Sequence, residues 1–182
     1  NVDNTDRYVH TWDGELYLEY HRGTYTTQGY NKKMNRYLEN KLAQIEWLSS
    51  LAYILGGEYA QQQLNDAWEC VKDAAKPRLQ VEVPTSTVQM EYTYHVKQAK
   101  MLEKIAELIK AAKALCSDVE FSALDATRAD EDFLISAMKE AEKNGASLIT
   151  ICDDAGVSTP DDIAALVSKV KEAVTIPVYV QV

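Results

Sequence analysis

The chain has 182 residues, 46% of them apolar, 26% charged and 9% aromatic, a composition that excludes disordered and fibrous classes and leaves one globular domain or two small ones. Its 28 acidic residues outweigh 19 basic ones for a net charge of −9, which repels phosphate backbones and anionic lipid surfaces and argues against nucleic acid or membrane as partner. No apolar run approaches the roughly 20 residues that span a bilayer, and the opening NVDNTDRY lacks the features of an export signal, so the expectation is a cytoplasmic protein. Its three cysteines, Cys70, Cys116 and Cys152, have no metal-ligand spacing and fit reduced, buried thiols.

In chain order, residues 14–21 (GELYLEYH) alternate Leu16, Leu18 and Tyr20 with polar neighbours, the period of a half-buried strand. Met34, Leu38, Leu42, Ile45, Leu48, Ala52 and Leu55 then recur in steps of three and four up to Gly56-Gly57, which predicts one long helix. A second helix carries Leu64, Trp68 and Val71, and the two are expected to form an antiparallel hairpin. The grammar changes near residues 74–77 (AAKP), where a helix ends before a proline. The boundary is placed there, dividing the chain into residues 1–76 and 77–182.

Downstream, residues 79–83, 119–121, 148–151 and 176–180 are short apolar runs separated by amphipathic stretches that carry Ile105, Leu108, Ile109 and Ala112, then Phe133, Leu134, Ala137, Met138 and Ala141, then Ile163, Leu166, Val167 and Val170. The last three runs start about 30 residues apart, the length of a βα unit. Continuous apolar runs suggest parallel strands covered on both faces. Asn144-Gly145 closes one helix, and Thr159-Pro160-Asp161-Asp162 opens the next with an N-cap, an early proline and dipole-favoured acids. The expected fold class is therefore α/β: a partial, half TIM-type barrel or an open parallel sheet of four βα units, preceded by a strand and the helical hairpin.

Sites in parallel α/β folds lie at the carboxyl ends of the strands. Here the runs are followed by Pro84-Thr85-Ser86, by Ser122 and Asp125, by Asp153-Asp154, and by Gln181. Such a rim of hydroxyls and carboxylates suits a hard cation or a hydroxylated substrate, although the same residues are also favoured in βα loops for backbone reasons alone. Elsewhere His10 and His95 have no partner at ligand spacing, Trp68 shares a core face with Leu64, and Cys152 beside two aspartates is a poor nucleophile. The seven glycines form no phosphate-cradling loop.

The segments PTSTVQMEYTYHV, DVEFSALDATRADEDFL and ASLITICDDAGVSTPDDI resemble, over residues 78–182, the barrel superfamily of 2-isopropylmalate synthase, homocitrate synthase and HMG-CoA lyase. That resemblance implies carbon–carbon bond formation or cleavage between an acyl-CoA and a 2-oxo acid, with a divalent metal (Mg, Mn or Zn) polarising the oxo acid. Thr85, Ser86, Glu120, Ser122, Asp125, Arg128, Asp153 and Gly156 fall on matching motif positions. Leu124 stands where the family usually has glutamate, Gln89 where it often has histidine, and Asp154 where it has threonine. The Arg-Asp and His-x-His ligand motifs are not matched, so no complete metal site and no bound cofactor are expected of this chain.

The segment WDGELYLEYHRGTYTTQ, followed by QLNDAWE, resembles α-mannosidases of glycoside hydrolase family 38 over residues 8–72, which implies a zinc-dependent retaining glycosidase as parent and places His21 and Arg22 as candidate sugar-contacting residues. Together the two resemblances imply a chimera or composite that is inactive alone. The alternatives are an α-mannosidase fragment with residual carbohydrate binding, or a structural or designed α/β scaffold that self-associates. A homo-oligomer, with weak small-molecule or sugar binding, is the expected set of partners.

Overall fold

The computed structural model describes the backbone of residues 9–12, 15–18, 47–53 and 60–182, with side chains from residue 61 onward. His21, Arg22, residues 34–46 and the Gly56-Gly57 helix stop lie outside the described residues. The described elements, in order, are β1 (Val9–Trp12), β2 (Glu15–Leu18), β3 (Trp47–Tyr53), α1 (Ala60–Val71), β4 (Pro77–Pro84), α2 (Gln98–Leu115), β5 (Val119–Leu124), α3 (Glu131–Lys143), β6 (Leu148–Cys152), α4 (Pro160–Ala173) and β7 (Val178–Gln181). A π-helical turn (Val88–Thr93) follows β4 and a 3-10 turn (Ala126–Arg128) follows β5.

The described strands form one sheet in the order β1 to β7, antiparallel between β1 and β2 and parallel thereafter. A doubly wound sheet reverses its strand order at a switch point. This one never does, so β4 to β7 with their helices are an arc of a βα barrel.

Within the sheet, β4 to β6 alternate. Leu79, Val81 and Val83, Val119, Phe121 and Ala123, and Ile149 and Ile151 join one hydrophobic cluster with Ile105 and Ile109 of α2, Leu134 and Met138 of α3, and Val170 of α4. Leu64, Ala67, Cys70 and Val71 of α1 enter the same cluster. The intervening residues Gln80, Glu82, Glu120, Ser122 and Thr150 are polar and buried. Thus the strands carry an apolar outer face and a polar inner face, both buried, which corrects the expectation of continuous apolar runs.

Two further expectations are corrected. Residues 47–53, read as the last turns of a long helix, form β3, which pairs Leu48 with Leu16 and Pro77; the helical hairpin is therefore not formed with this segment. Leu48 and Ala52 are four apart, a spacing that lies on one face of a helix and equally on one face of a strand, so they could not discriminate. β5 continues through Ser122 to Leu124, pairing with Glu82, Val83 and Pro84; a search for apolar runs stops at Ser122 because that side chain faces the polar inner side.

Helix ends follow local chemistry. The Thr159 side chain accepts from Asp162 N while Asp162 reaches back to Thr159 N, a capping box with Pro160 in the first turn. Asp130 caps α3 by accepting from Phe133 N at 2.9 Å. Asn144 ends α3, and Gly145 follows at φ 110°, a conformation open to glycine because it lacks a Cβ.

Candidate functional site

The rim at the carboxyl ends of β4, β5 and β6 is assembled mainly by hydrogen bonds between loops. Thr85 donates its hydroxyl to Leu124 O at 2.8 Å and its N–H to the same oxygen at 2.9 Å. Ser86 forms a bridge with Ala129 and its Oγ accepts from Gln89 N at 3.2 Å, so the loop after β4 is tied to the one after β5.

Asp125 is the centre of the rim. It is fully buried and adopts a left-handed backbone at φ 55°, which costs a non-glycine residue roughly 1 kcal/mol and is best tolerated by Asp and Asn. Its N–H donates to Asp154 Oδ2 at 2.6 Å, and its two carboxylate oxygens accept from Arg128 Nε and Nη2, each at 2.7 Å. Such a bidentate, charge-assisted pair fixes the turn in one geometry. Thr127 donates to Asp153 Oδ1 at 2.6 Å, and Asp153 Oδ2 accepts from Ser158 N at 3.1 Å. The Thr127 hydroxyl, before all other influences, holds the Asp153 carboxyl below its ordinary range.

Below the rim lies a second polar group on the inner face. Gln80 Nε2 donates to Ser122 Oγ at 2.7 Å, Ser122 Oγ donates to Glu120 Oε1 at 3.3 Å, and Thr150 Oγ1 donates to the same oxygen at 2.6 Å. Arg78 Nη1 stands 3.8 Å from Glu120 Oε2 while its Nε bonds Asp118 at 2.9 Å. Burial raises the Glu120 carboxyl above its ordinary range against the opposing pull of Thr150, Arg78 and Ser122. Cys152 is pushed up to about 12, first by burial and then by Asp154, Glu82 and Glu120, so its thiol stays protonated and is not a nucleophile.

The sequence-derived candidates therefore separate into two sets. Thr85, Ser86, Asp125, Arg128, Asp153 and Asp154 meet at the rim, whereas Ser122 and Glu120 sit deeper on the inner face. Sequence reading missed Gln80, Thr150, Thr127, Arg78 and Asp118. The available signal was the i, i+2 spacing of Gln80 with Glu82 and of Glu120 with Ser122, the mark of one strand face.

The donor chemistry does not suit the divalent cation that the first resemblance implies. Among the described residues no three His, Cys, Asp or Glu side chains converge on a common point. Asp125 is engaged by Arg128, and Asp153 by Thr127 and Ser158, so these rim carboxylates are turned toward their own donors rather than together toward a hard cation. Among the described residues no helix is long and apolar enough to cross a membrane.

Comparison with known proteins gives two family matches: a model described as HMGL-like over residues 54–181, and one described as alpha mannosidase middle domain over residues 19–74. The two overlap across α1. The 2-isopropylmalate synthase of Ruminiclostridium cellulolyticum is 35% identical over 114 residues, 63% of this chain and 22% of that protein. The 2-isopropylmalate synthase B of Solanum pennellii is 36% identical over 112 residues, 61% of this chain and 18% of that protein. Methylthioalkylmalate synthase 1-1, chloroplastic, of Eutrema japonicum is 34% identical over 112 residues, 61% of this chain and 22% of that protein. The chain spans about a fifth of the length of these relatives.

Proposed function

Because the chain belongs to the HMGL-like family, we propose that its β4–β7 arc is one wall of a synthase-type active site, of the kind that joins an acyl-CoA to a 2-oxo acid, and that the 182-residue chain is a composite without turnover of its own. The observation that carries this reading is the rim itself. Asp125, Arg128, Asp153 and Asp154 hold the βα loops after β5 and β6 in a fixed geometry, yet their carboxylates are spent on one another's partners rather than directed at a common ligand point. Positioning is present, and the electrophilic group that would polarise an oxo acid has no seat among the described residues.

The match over residues 19–74 favours a second reading, residual carbohydrate binding by the front segment. Self-association finds support in β7, which among the described residues pairs with β6 alone and exposes Tyr179 and Val180; strand edges of this kind recruit other chains. A reducing, cytoplasmic setting is in keeping with three cysteines that are all buried.

The test combines thiol release from acetyl-CoA in the presence of 2-oxo acids and Mg²⁺ or Mn²⁺ with amide chemical-shift mapping under a 2-oxo acid. Expected are no turnover above background and weak shifts confined to Thr85, Ser86 and residues 125–128, lost in Arg128→Ala. Chelator-sensitive turnover, or shifts elsewhere in the sheet, overturns the reading. Titration with a mannoside decides the second.

A further inference from the structure

The Asn144-Gly145 pair at the end of α3 has no part in the proposed rim. Glycine is dictated there by the backbone: φ is 110°, and a Cβ would stand 3.0 Å from Lys113 Cγ, so a side chain is excluded on two grounds. That choice has a chemical consequence. A glycine amide nitrogen, with no Cβ beside it, can approach the side-chain carbonyl carbon of the asparagine before it closely enough to close a five-membered imide. In this structure both reacting groups are engaged elsewhere. Asn144 Nδ2 donates to Glu140 O at 2.6 Å and to Glu140 Oε1 at 2.9 Å, and the Gly145 N–H donates to Glu142 O at 3.0 Å. Lys143 Nζ holds the same Glu140 carboxylate at 3.2 Å, and the Asn144 amide, before other influences, keeps that carboxyl below its ordinary range.

We propose that Asn144 is a site of spontaneous deamidation gated by the last turn of α3: shut while Glu140 and Glu142 hold the amide and the nucleophile, and open when that turn frays. In the open turn the Gly145 nitrogen gives its proton to hydroxide and bonds to Asn144 Cγ, and the Cγ–Nδ2 bond breaks to release ammonia. Water then opens the imide at Cγ, giving aspartate, or at the Asn144 main-chain carbonyl carbon, giving isoaspartate. The balance is amide plus water to acid plus ammonia, with no change of oxidation state. Helix ends open at low free-energy cost, so the hydrogen bonds of this turn set how often the pair is free to react. The product cannot shut the gate again. A carboxylate at this position has no N–H to give Glu140, faces a like charge four residues back, and adds negative charge to a helix C-terminus. The same turn also anchors the lead into β7, since Glu142 Oε1 accepts from Thr175 N at 2.8 Å and from the Thr175 hydroxyl.

The experiment incubates the full 182-residue chain, folded and in concentrated urea, and follows conversion at Asn144 by peptide mass mapping with the aspartate and isoaspartate peptides separated. Expected is rapid conversion in urea and conversion slower by about tenfold or more in the folded chain. Folded Glu140→Ala, which removes one acceptor of the amide, should convert about threefold to tenfold faster than the folded parent, whereas in urea the two should convert alike. Thr159→Ala, which weakens a different helix end, should leave the rate unchanged. The gate is overturned if the folded parent converts as fast as the unfolded chain, if folded Glu140→Ala converts no faster than the parent, or if Thr159→Ala accelerates conversion equally. Should Glu140→Ala fold poorly, the comparison of folded with unfolded parent still decides. Asn144→Asp should have a lower urea midpoint than Asn144→Ala; an equal or higher midpoint overturns the irreversible part.

Discussion

The outer and inner faces of β4, β5 and β6 are alternate residues of the same short segments, and both are buried, yet they are held by different forces. On the outer face Val81, Phe121 and Ile149 are fully buried against helices, and the stabilisation is non-directional and scales with apolar area. On the inner face Glu82 and Glu120 are buried to nearly the same degree, but each polar atom there must find a partner or cost free energy. The difference teaches a division of labour: the outer face supplies area-dependent burial, and the inner face supplies directional bonds that fix register.

Removing the largest outer side chain should break the comparison most severely. Phe121→Ala is expected to cost about 3–5 kcal/mol, as truncations that leave a cavity do, measured as a lowered urea midpoint. Next comes the rim: Asp125→Ala removes both carboxylate acceptors from Arg128 and leaves alanine in a left-handed backbone, expected to cost about 2–3 kcal/mol and to broaden the amide signals of residues 125–128. Thr150→Val keeps the shape of the inner face and deletes one donor, for about 1–2 kcal/mol near pH 7. Because Thr150 donates to the charged form of Glu120, that loss should shrink as Glu120 takes up its proton on acidification; a loss independent of pH would remove this role. Thr159→Ala, on neither face, should cost about 1 kcal/mol by loss of the α4 cap. At the exposed strand β7, Val180→Lys should leave stability within about 0.5 kcal/mol while lowering any self-association seen in sedimentation, since an edge lysine opposes strand pairing.

The outer face was the legible one. Helical spacing of Ile105, Leu108, Ile109 and Ala112, and of Phe133, Leu134, Ala137, Met138 and Ala141, marks α2 and α3, and those residues are buried as their period requires. The α4 cap was legible because Thr159, Pro160 and Asp162 act on neighbouring backbone. The inner face was less legible, because Gln80 and Thr150 acquire meaning only when parallel pairing sets Gln80 beside Glu120 and Thr150 beside Ser122. Asp125 and Arg128 stood in a recognisable motif, but the left-handed turn that lets the guanidinium close on Asp125 three residues back is held by Asp154, from the turn after β6. β3 was misread because spacing of four satisfies both periods.

The strictly sequential strand order has a kinetic consequence. The Gln80–Ser122 contact joins residues 42 apart and the Glu120–Thr150 contact residues 30 apart, so each new strand docks on its immediate predecessor across a similar stretch of chain. Loop closure grows only logarithmically, about 0.6 kcal/mol per doubling, and none of the strands β4 to β7 has to thread between two already paired. Assembly can therefore propagate as a zipper in the direction of synthesis: β5 seats on β4 as it leaves the ribosome, and β6 on β5, without waiting for the far end of the chain.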